Sequence, residues 1–185
     1  MGFGTVDKIF LKFEKPWWNS AWAGVSFLRH EEGPSDEWSD NLLGFYTVRN
    51  HPTLLVAWIT GTAAQIAETL SEDQVLKACS QRLKRYVDGQ FIYSEPIAVI
   101  RSSWYSNRFT RGSYSYRSMQ SQKANAWACD LAEPVSDSNG QLRLFFAGEA
   151  THDYFYSTVH GAVETGYREA DRITEIVNGI HSFKC

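Results

Sequence analysis

Apolar and polar residues alternate over residues 5–13, which predicts a β-strand. Thr5, Asp7, Ile9, Leu11 and Phe13 share one face, and Val6, Lys8, Phe10 and Lys12 share the other. Pro16 ends this strand, and Trp17 and Trp18 follow in a loop. Residues 33–41 (GPSDEWSDN) read as a polar loop. Residues 44–48 and 53–60 predict two more strands, with a turn at Asn50-His51-Pro52. The pattern then changes to a helical one. Thr62 is placed to cap a short helix reaching Leu70. Ser71 and Gln74 have the spacing of a capping box, in which hydroxyl and amide side chains satisfy each other's free backbone N–H groups. Val75, Leu76, Cys79, Leu83, Tyr86 and Val87 then recur at helical spacing until Asp88-Gly89. Residues 97–102 predict a strand, 104–116 an irregular aromatic segment, and 118–139 little regular structure. The nearly continuous apolar run at 141–147 (QLRLFFA) predicts a buried strand. A last helix is expected from Val159 to about Val177, with Ala162, Val163, Ala170, Ile173, Ile176 and Val177 on its buried side and Asn178-Gly179 as its stop.

Composition narrows the classes. The chain has 185 residues, 43% apolar and 21% charged, which is globular composition and enough for one core or two small lobes. Aromatics reach 15%, including seven Trp, and aromatic side chains fill cores as readily as they line ligand sites. A net charge of −3 without any Lys/Arg run gives no basis for nucleic-acid binding. Cys79, Cys129 and Cys185 are odd in number and far apart, so neither a disulfide framework nor a metal site is indicated, and a reducing compartment is expected. No apolar stretch reaches the roughly 18 residues of a membrane span. The N-terminus lacks a secretory pattern, and residues 183–185 (FKC) form neither a peroxisomal address nor a prenylation box. A cytoplasmic location without membrane association is expected.

Two runs carry candidate chemistry. In residues 145–151 (FFAGEAT), a glycine lets backbone approach a ligand closely and a carboxylate can accept from sugar-type hydroxyls. Read alone, the run is a strand end with a turn. In residues 156–162 (YSTVHGA), the free amides and dipole of a helix start favour negative charge. Read alone, it is a Ser/Thr cap with no ligand. Asp153, Ser157 and His160 are close in one loop, but closeness in sequence is not the geometry of a catalytic triad, and that reading is rejected.

Four runs stand in a telling order: 2–18 (GFGTVDKIFLKFEKPWW), 54–64 (LLVAWITGTAA), 101–116 (RSSWYSNRFTRGSYSY) and 146–173 (FAGEATHDYFYSTVHGAVETGYREADRI). Together they resemble the C-terminal portion of the flavin-containing amine oxidase superfamily, nearest its animal spermine and N1-acetylpolyamine oxidases. The resemblance implies an α/β fold: residues 1–104 as part of a substrate domain with a mixed sheet, and 105–185 as the returning strand–helix piece of an FAD domain. It implies FAD as cofactor and Lys8 as the catalytic lysine that holds a water against flavin N5. It places Gly148 and Glu149 at the pyrophosphate and ribityl region, the Val159 amide at the flavin N1–C2=O edge, and Trp104 beside the flavin. Ser157 and Thr158 would stand beside the ring and meet the substrate, with Tyr114 flanking the substrate in front of it. Strand alternation alone reads Lys8 as a solvated lysine.

The implied reaction removes a hydride equivalent from the carbon next to a secondary amine of a polyamine. Hydrolysis then gives an aldehyde and a shorter amine, and molecular oxygen becomes hydrogen peroxide. An aromatic-walled site suits this chemistry, attracting the cationic amine and favouring its neutral, reactive form. The family's Gly-rich βαβ unit has no counterpart here, since Gly2 and Gly4 follow no strand. By itself the chain is therefore expected to bind FAD poorly, to turn over little and to expose an apolar sheet face. The run 117–123 (RSMQSQK) departs from the small residues usual at that place. Two rivals remain: a histone-lysine demethylase, for which no chromatin-facing insertion or basic surface is visible, and an inactive fragment serving as a binding or dimerisation module.

Overall fold

A computed structural model of the chain describes residues 1–28 and 37–179. Part of the expected polar loop (33–36), Cys185 and the 183–185 tail lie outside the described residues. In chain order the elements are β1 (Gly2–Gly4), β2 (Val6–Lys12), β3 (Gly24–Ser26), β4 (Gly44–Val48), β5 (His51–Thr60), α1 (Gly61–Thr69), α2 (Glu72–Val87), β6 (Ala98–Arg101), β7 (Tyr114–Tyr116), α3 (Met119–Lys123), β8 (Val135–Ser136), β9 (Leu142–Leu144) and α4 (Val159–Val177). They fall into two units. One spans Thr5–Ser113, and the other joins Met1–Gly4 to the residues from Tyr114 onward.

The 5–113 unit is built on a five-stranded sheet in the order β3-β4-β5-β2-β6. A mixed sheet was expected, but every pairing in it is antiparallel. The alternation in β2 is obeyed throughout: Thr5, Asp7, Ile9, Leu11 and Phe13 are all buried. Ile9, Leu11 and Phe13 meet Leu55, Ala57 and Ile59 of β5, Ala63, Ala64 and Ala67 of α1, and Val75, Cys79, Leu83 and Val87 of α2 in one core. Each fully buried Leu, Ile or Phe contributes about 1.5–3 kcal/mol through apolar area removed from water. Burial also pushes the Cys79 thiol up to about 12.

The capping box forms as the sequence implies: Gln74 N–H donates to Ser71 Oγ at 3.3 Å and Ser71 N–H donates to Gln74 Oε1 at 2.9 Å. Thr62 caps nothing, because α1 begins at Gly61 with Thr60 as its flanking residue. The β4–β5 hairpin turns at Arg49-Asn50, earlier than expected, and pairs Val48 with His51. Asn50 takes the positive φ of 61° that the tight turn needs, and Pro52 sits in β5 beyond its pairing with β2, where no donor is required. Trp38–Asn41, expected as loop, is a 3-10 turn that buries Trp38. Much of the aromatic content is packing: Trp17 lies 5.0–5.5 Å from Trp18, Trp22, Phe91 and Tyr93, ring centre to ring centre. The end of α1 is held by Arg101, whose guanidinium donates to the carbonyls of Ala67, Glu68 and Leu70 at 2.7, 3.1 and 2.6 Å.

The second unit has little sheet. Strand β1 pairs antiparallel with β7, and β8 pairs with β9. The Tyr116 ring lies over Gly2, where a Cβ would stand 2.4 Å from it, so a side chain there would displace the ring. Within residues 104–116, read as irregular, β7 is a strand fixed by this register. Residues 118–139 are also more ordered than expected, with Ser118 capping α3 through the amide of Ser121. The run 141–147 is not a buried strand. Only Leu142–Leu144 pair, against a two-residue partner, and Leu144 and Phe146 are exposed.

Helix α4 has the expected limits, with Asn178 as its cap and Gly179 at φ 72°. Its expected face is overturned. Its fully buried residues are Gly161, Thr165 and Glu169, spaced four apart, whereas Val163 is 50% and Val177 78% exposed. Ala170 and Ile173 are exposed too, and Ala162 and Ile176 are only half-buried. The cause is polar. Glu169 is clasped by Arg168 at 2.6 Å and Arg172 at 3.0 Å. Arg168 also donates to Thr151 O at 2.9 Å and Phe146 O at 3.0 Å, and Arg172 donates to Ala132 O at 3.2 Å. A buried carboxylate must be paired, so these bonds turn the helix inward on its polar side.

Candidate active site

The candidate residues occur in both units, and each unit is described by itself. In the 5–113 unit, Lys8 lies on the exposed face of β2. It pairs in register with Trp58 of β5, and its Nζ sits 4.7 Å from the Trp58 ring centre. Around it Trp58 and Ile100 remain accessible and Phe10 is half-buried. This is an apolar, aromatic surface with an ammonium over an indole face, an arrangement in which a cation and a flat ligand can both find partners. The backbone of Lys8 is held by Ser102: Lys8 N–H donates to Ser102 Oγ at 2.9 Å and Ser102 N–H returns to Lys8 O at 3.0 Å. Trp104 follows two residues later with its side chain partly exposed. Its carbonyl accepts from Thr110 Oγ1 at 2.7 Å and from Gly112 N–H at 3.0 Å, which closes the 104–112 loop.

In the second unit, Gly148, Glu149, Ser157, Thr158 and Val159 converge at the start of α4. Gly148 has φ 144° and ψ 161°, a region open only to glycine, and its missing Cβ would meet nothing within 4 Å. Its N–H donates to Thr165 Oγ1 at 2.9 Å, which fixes this bend to the helix. The Glu149 carboxylate is engaged on both oxygens. Ser115 N–H donates to Oε1 at 2.9 Å, and Ser115 Oγ to Oε2 at 2.7 Å. The Ser157 N–H donates to Oε2 as well. Ser157 has a positive φ of 62°, and its hydroxyl donates to the Ser115 carbonyl. Thr158 is the N-cap: Gly161 N–H donates to its Oγ1 at 3.1 Å. A Cβ on Gly161 would lie 2.1 Å from the Phe155 carbonyl oxygen, so the turn closes only over glycine.

Among the described residues no acceptor meets the N–H groups of Val159 and His160, so two amides and the positive end of a 19-residue helix point outward. Tyr114 pairs in register with Gly4, is partly exposed, and precedes the serine that holds Glu149. Asp153, Ser157 and His160 each have separate partners. Asp153 accepts from Cys129 N–H at 3.0 Å, the Ser157 hydroxyl is bound to Ser115, and the His160 ring lies 4.6 Å from that of Phe155. Burial, then Asp153 and Asp130, raise the Cys129 thiol above its ordinary range. Sequence reading missed Ser115, Thr165 and Gly161. The spacing of Gly161, Thr165 and Glu169 along one helical row was the signal available.

The sequence matches the family described as flavin containing amine oxidoreductase over residues 1–174. The chain belongs to that family. It is 37% identical to the human peroxisomal N(1)-acetyl-spermine/spermidine oxidase over 186 aligned positions, covering 95% of this chain and 36% of that protein. The bovine protein of the same name is 40% identical, covering 94% of this chain and 36% of its own length. A possible lysine-specific histone demethylase 1 of Drosophila melanogaster is 32% identical over 97% of this chain and 20% of its length. Among solved structures, putrescine oxidase bound to putrescine matches with a TM-score of 0.58 at 20% identity, covering 93% of this chain and 36% of that one. Cyclohexylamine oxidase from Brevibacterium oxydans IH-35A matches at 0.60 and 17%, covering 96% and 36%. These two establish the α/β fold of an amine oxidase. The chain thus spans about 36% of the length of the polyamine-oxidising relatives. Among the described residues, no helix is long and apolar enough to cross a membrane, and no group of three His, Cys, Asp or Glu is placed to hold a metal ion.

Proposed function

We propose that this chain contributes to an FAD-dependent oxidase of polyamines, acting on a secondary amine of spermine or an N1-acetylated polyamine. The observation that carries the reading is the 37–40% identity to two N(1)-acetyl-spermine/spermidine oxidases over 94–95% of the chain. The residues present fit a flavin. Gly148 offers open space against its backbone, and the start of α4 offers two unengaged amides.

When bound, the flavin supplies a two-electron acceptor. The chain's own residues do the rest. The Val159 amide and the α4 dipole stabilise negative charge that develops at the cofactor edge. Lys8 donates to a water held at the reacting face. Trp58 and Trp104 in the 5–113 unit, and Tyr114 in the second, each offer an aromatic face that attracts the amine as a cation. Ser157 and Thr158 border the substrate. Glu149 serves chiefly by fixing Ser115 and Ser157, because both its oxygens already accept from them. Oxygen is the second substrate and hydrogen peroxide a product. The location proposed is cytoplasmic, which cell fractionation tests against the peroxisomal location carried in the names of the two relatives.

The 32% identity to a histone demethylase relative favours a second reading, oxidation of a methylated lysine side chain. One experiment separates the two. The corresponding C-terminal segment of the human oxidase is replaced by this chain, and peroxide release is measured with N1-acetylspermine, spermine and a methyl-lysine peptide. Release with the polyamines, lost in Lys8→Met while bound flavin is retained, supports the proposal. Release with the peptide alone selects the demethylase. A flavin-loaded chimaera inactive with all three supports the binding-module rival.

A further inference from the structure

Asp7 and Glu68 form a pair of carboxyl groups outside the proposed cofactor and substrate contacts. Asp7, beside Lys8 on β2 but on the opposite face, is 2% exposed. Its Oδ1 accepts from Ser102 Oγ at 2.6 Å, with Trp104 N–H at 3.5 Å. Its Oδ2 is buried, and no N–H or O–H group reaches it. Glu68, near the end of α1, lies close enough to Asp7 for each carboxyl group to act on the other's titration. The Glu68 oxygens accept from Tyr105 N–H at 2.8 Å and Ser106 N–H at 2.7 Å. Two carboxyl groups this close need either a cation or a proton between them. Among the described residues neither is in an ion pair. The Arg101 guanidinium is bound to the carbonyls at the end of α1, and Lys8 lies over Trp58 on the other face. Gln65 of α1 reaches Thr5, not Asp7.

We propose that Asp7 and Glu68 share one proton, carried on Asp7 Oδ2 and donated to the Glu68 carboxylate, and that this pair is the positioning element that fixes residues 102–106 against β2 beside Lys8. The pair carries one negative charge. Asp7 supplies the O–H, and Glu68 accepts that proton together with two backbone amides. Ser102 links Asp7 to the backbone of Lys8, so the pair holds Trp104 and Lys8 on one support.

The titration of each group agrees with its part. Burial raises Asp7, the Ser102 hydroxyl opposes this, and Glu68 raises it further, to about 6 from 3.8. Burial works to raise Glu68 as well, but the Ser106 hydroxyl, the Tyr105 and Ser106 amides and Asp7 together hold it below its ordinary value. Asp7 therefore keeps the proton and Glu68 gives it up. Because the folded value of Asp7 lies above the unfolded one, the stability it confers is full below about pH 4, falls as pH rises towards about 6, and is lost above.

Asp7→Asn is the test, since its amide donates to Glu68 as the O–H does and its oxygen still accepts from Ser102. Unfolding equilibria of the chain are measured at pH 5 and pH 8. The expected result is that wild type loses stability relative to Asp7→Asn across this interval, and that at pH 8 the variant's unfolding constant is roughly tenfold or more below wild type's. Carboxyl ¹³C shifts should place the Asp7 midpoint near 6, and Glu68→Gln should lose exchange protection at the Tyr105 and Ser106 amides at both pH values. An Asp7 carboxyl that titrates near 4, or a variant that tracks wild type at both pH values, overturns the proposal. No flavin is read in these measurements, so either outcome leaves the functional reading to its own experiment.

Discussion

In the unit spanning residues 5–113, the deepest side chains are Ile9, Leu11, Phe13, Phe45, Leu55, Ile59 and Leu83, gathered between a sheet and two helices. In the unit built around α4, they are Thr165, Ser115, Ala128 and Glu169, mostly polar, with Gly161 beneath the helix start. The first unit follows the rule that apolar periodicity marks the buried face. The second inverts it: α4 turns Val159, Val163, Tyr167, Ile173 and Val177 to the surface and is anchored by hydrogen bonds and an Arg–Glu–Arg cluster. The contrast separates two ways of fixing a helix. A packed helix has stability spread over many weak contacts. A helix held by a polar network depends on a few donors and acceptors, each expensive to leave unpaired.

Substitutions can break this comparison. Phe45→Ala, in the first unit, should lower unfolding free energy by about 3–5 kcal/mol, read from denaturant midpoints, because it opens a cavity in a fully buried cluster. Glu149→Gln, in the second, should cost roughly 2 kcal/mol, since one amide oxygen cannot replace two carboxylate oxygens serving Ser115 and Ser157. Hydrogen exchange at the Ser115 and Ser157 amides should rise in this variant, while the 5–113 core keeps its protection. Val163→Ser should change stability by less than about 0.5 kcal/mol by the same denaturant assay. A loss at Val163 as large as that at Phe45 would mean that α4 is held by its apolar face after all.

What the sequence reveals follows the same division. Strands β2, β4 and β5 and helix α2 were legible because their apolar period and their caps agree with their burial. The limits of α4 were legible from Thr158 and Gly179, but its orientation was not. Periodicity counts apolar residues, and the groups that orient this helix are Thr165, Arg168, Glu169 and Arg172. Strand β1 escaped notice because three residues with two glycines carry no pattern, and only pairing with Tyr114–Tyr116 makes it a strand. In the candidate site, the run from Gly148 to Val159 could be read as a motif and is brought together at one helix start. Ser115, which completes it, comes from a distant stretch that no local pattern connects to Glu149. Asp7 and Glu68 were hidden for the same reason: an aspartate on the apolar side of a strand is visible, but its partner lies on a helix far along the chain.

The glycine beneath the first turn of α4 sets a rule for anyone redesigning this protein. With the Phe155 carbonyl oxygen 2.1 Å from where a methyl group would stand, position 161 has no permissible alternative unless the preceding loop is rebuilt. A saturation library at 161 should return a single survivor, while the neighbouring exposed position 159 should accept many residues.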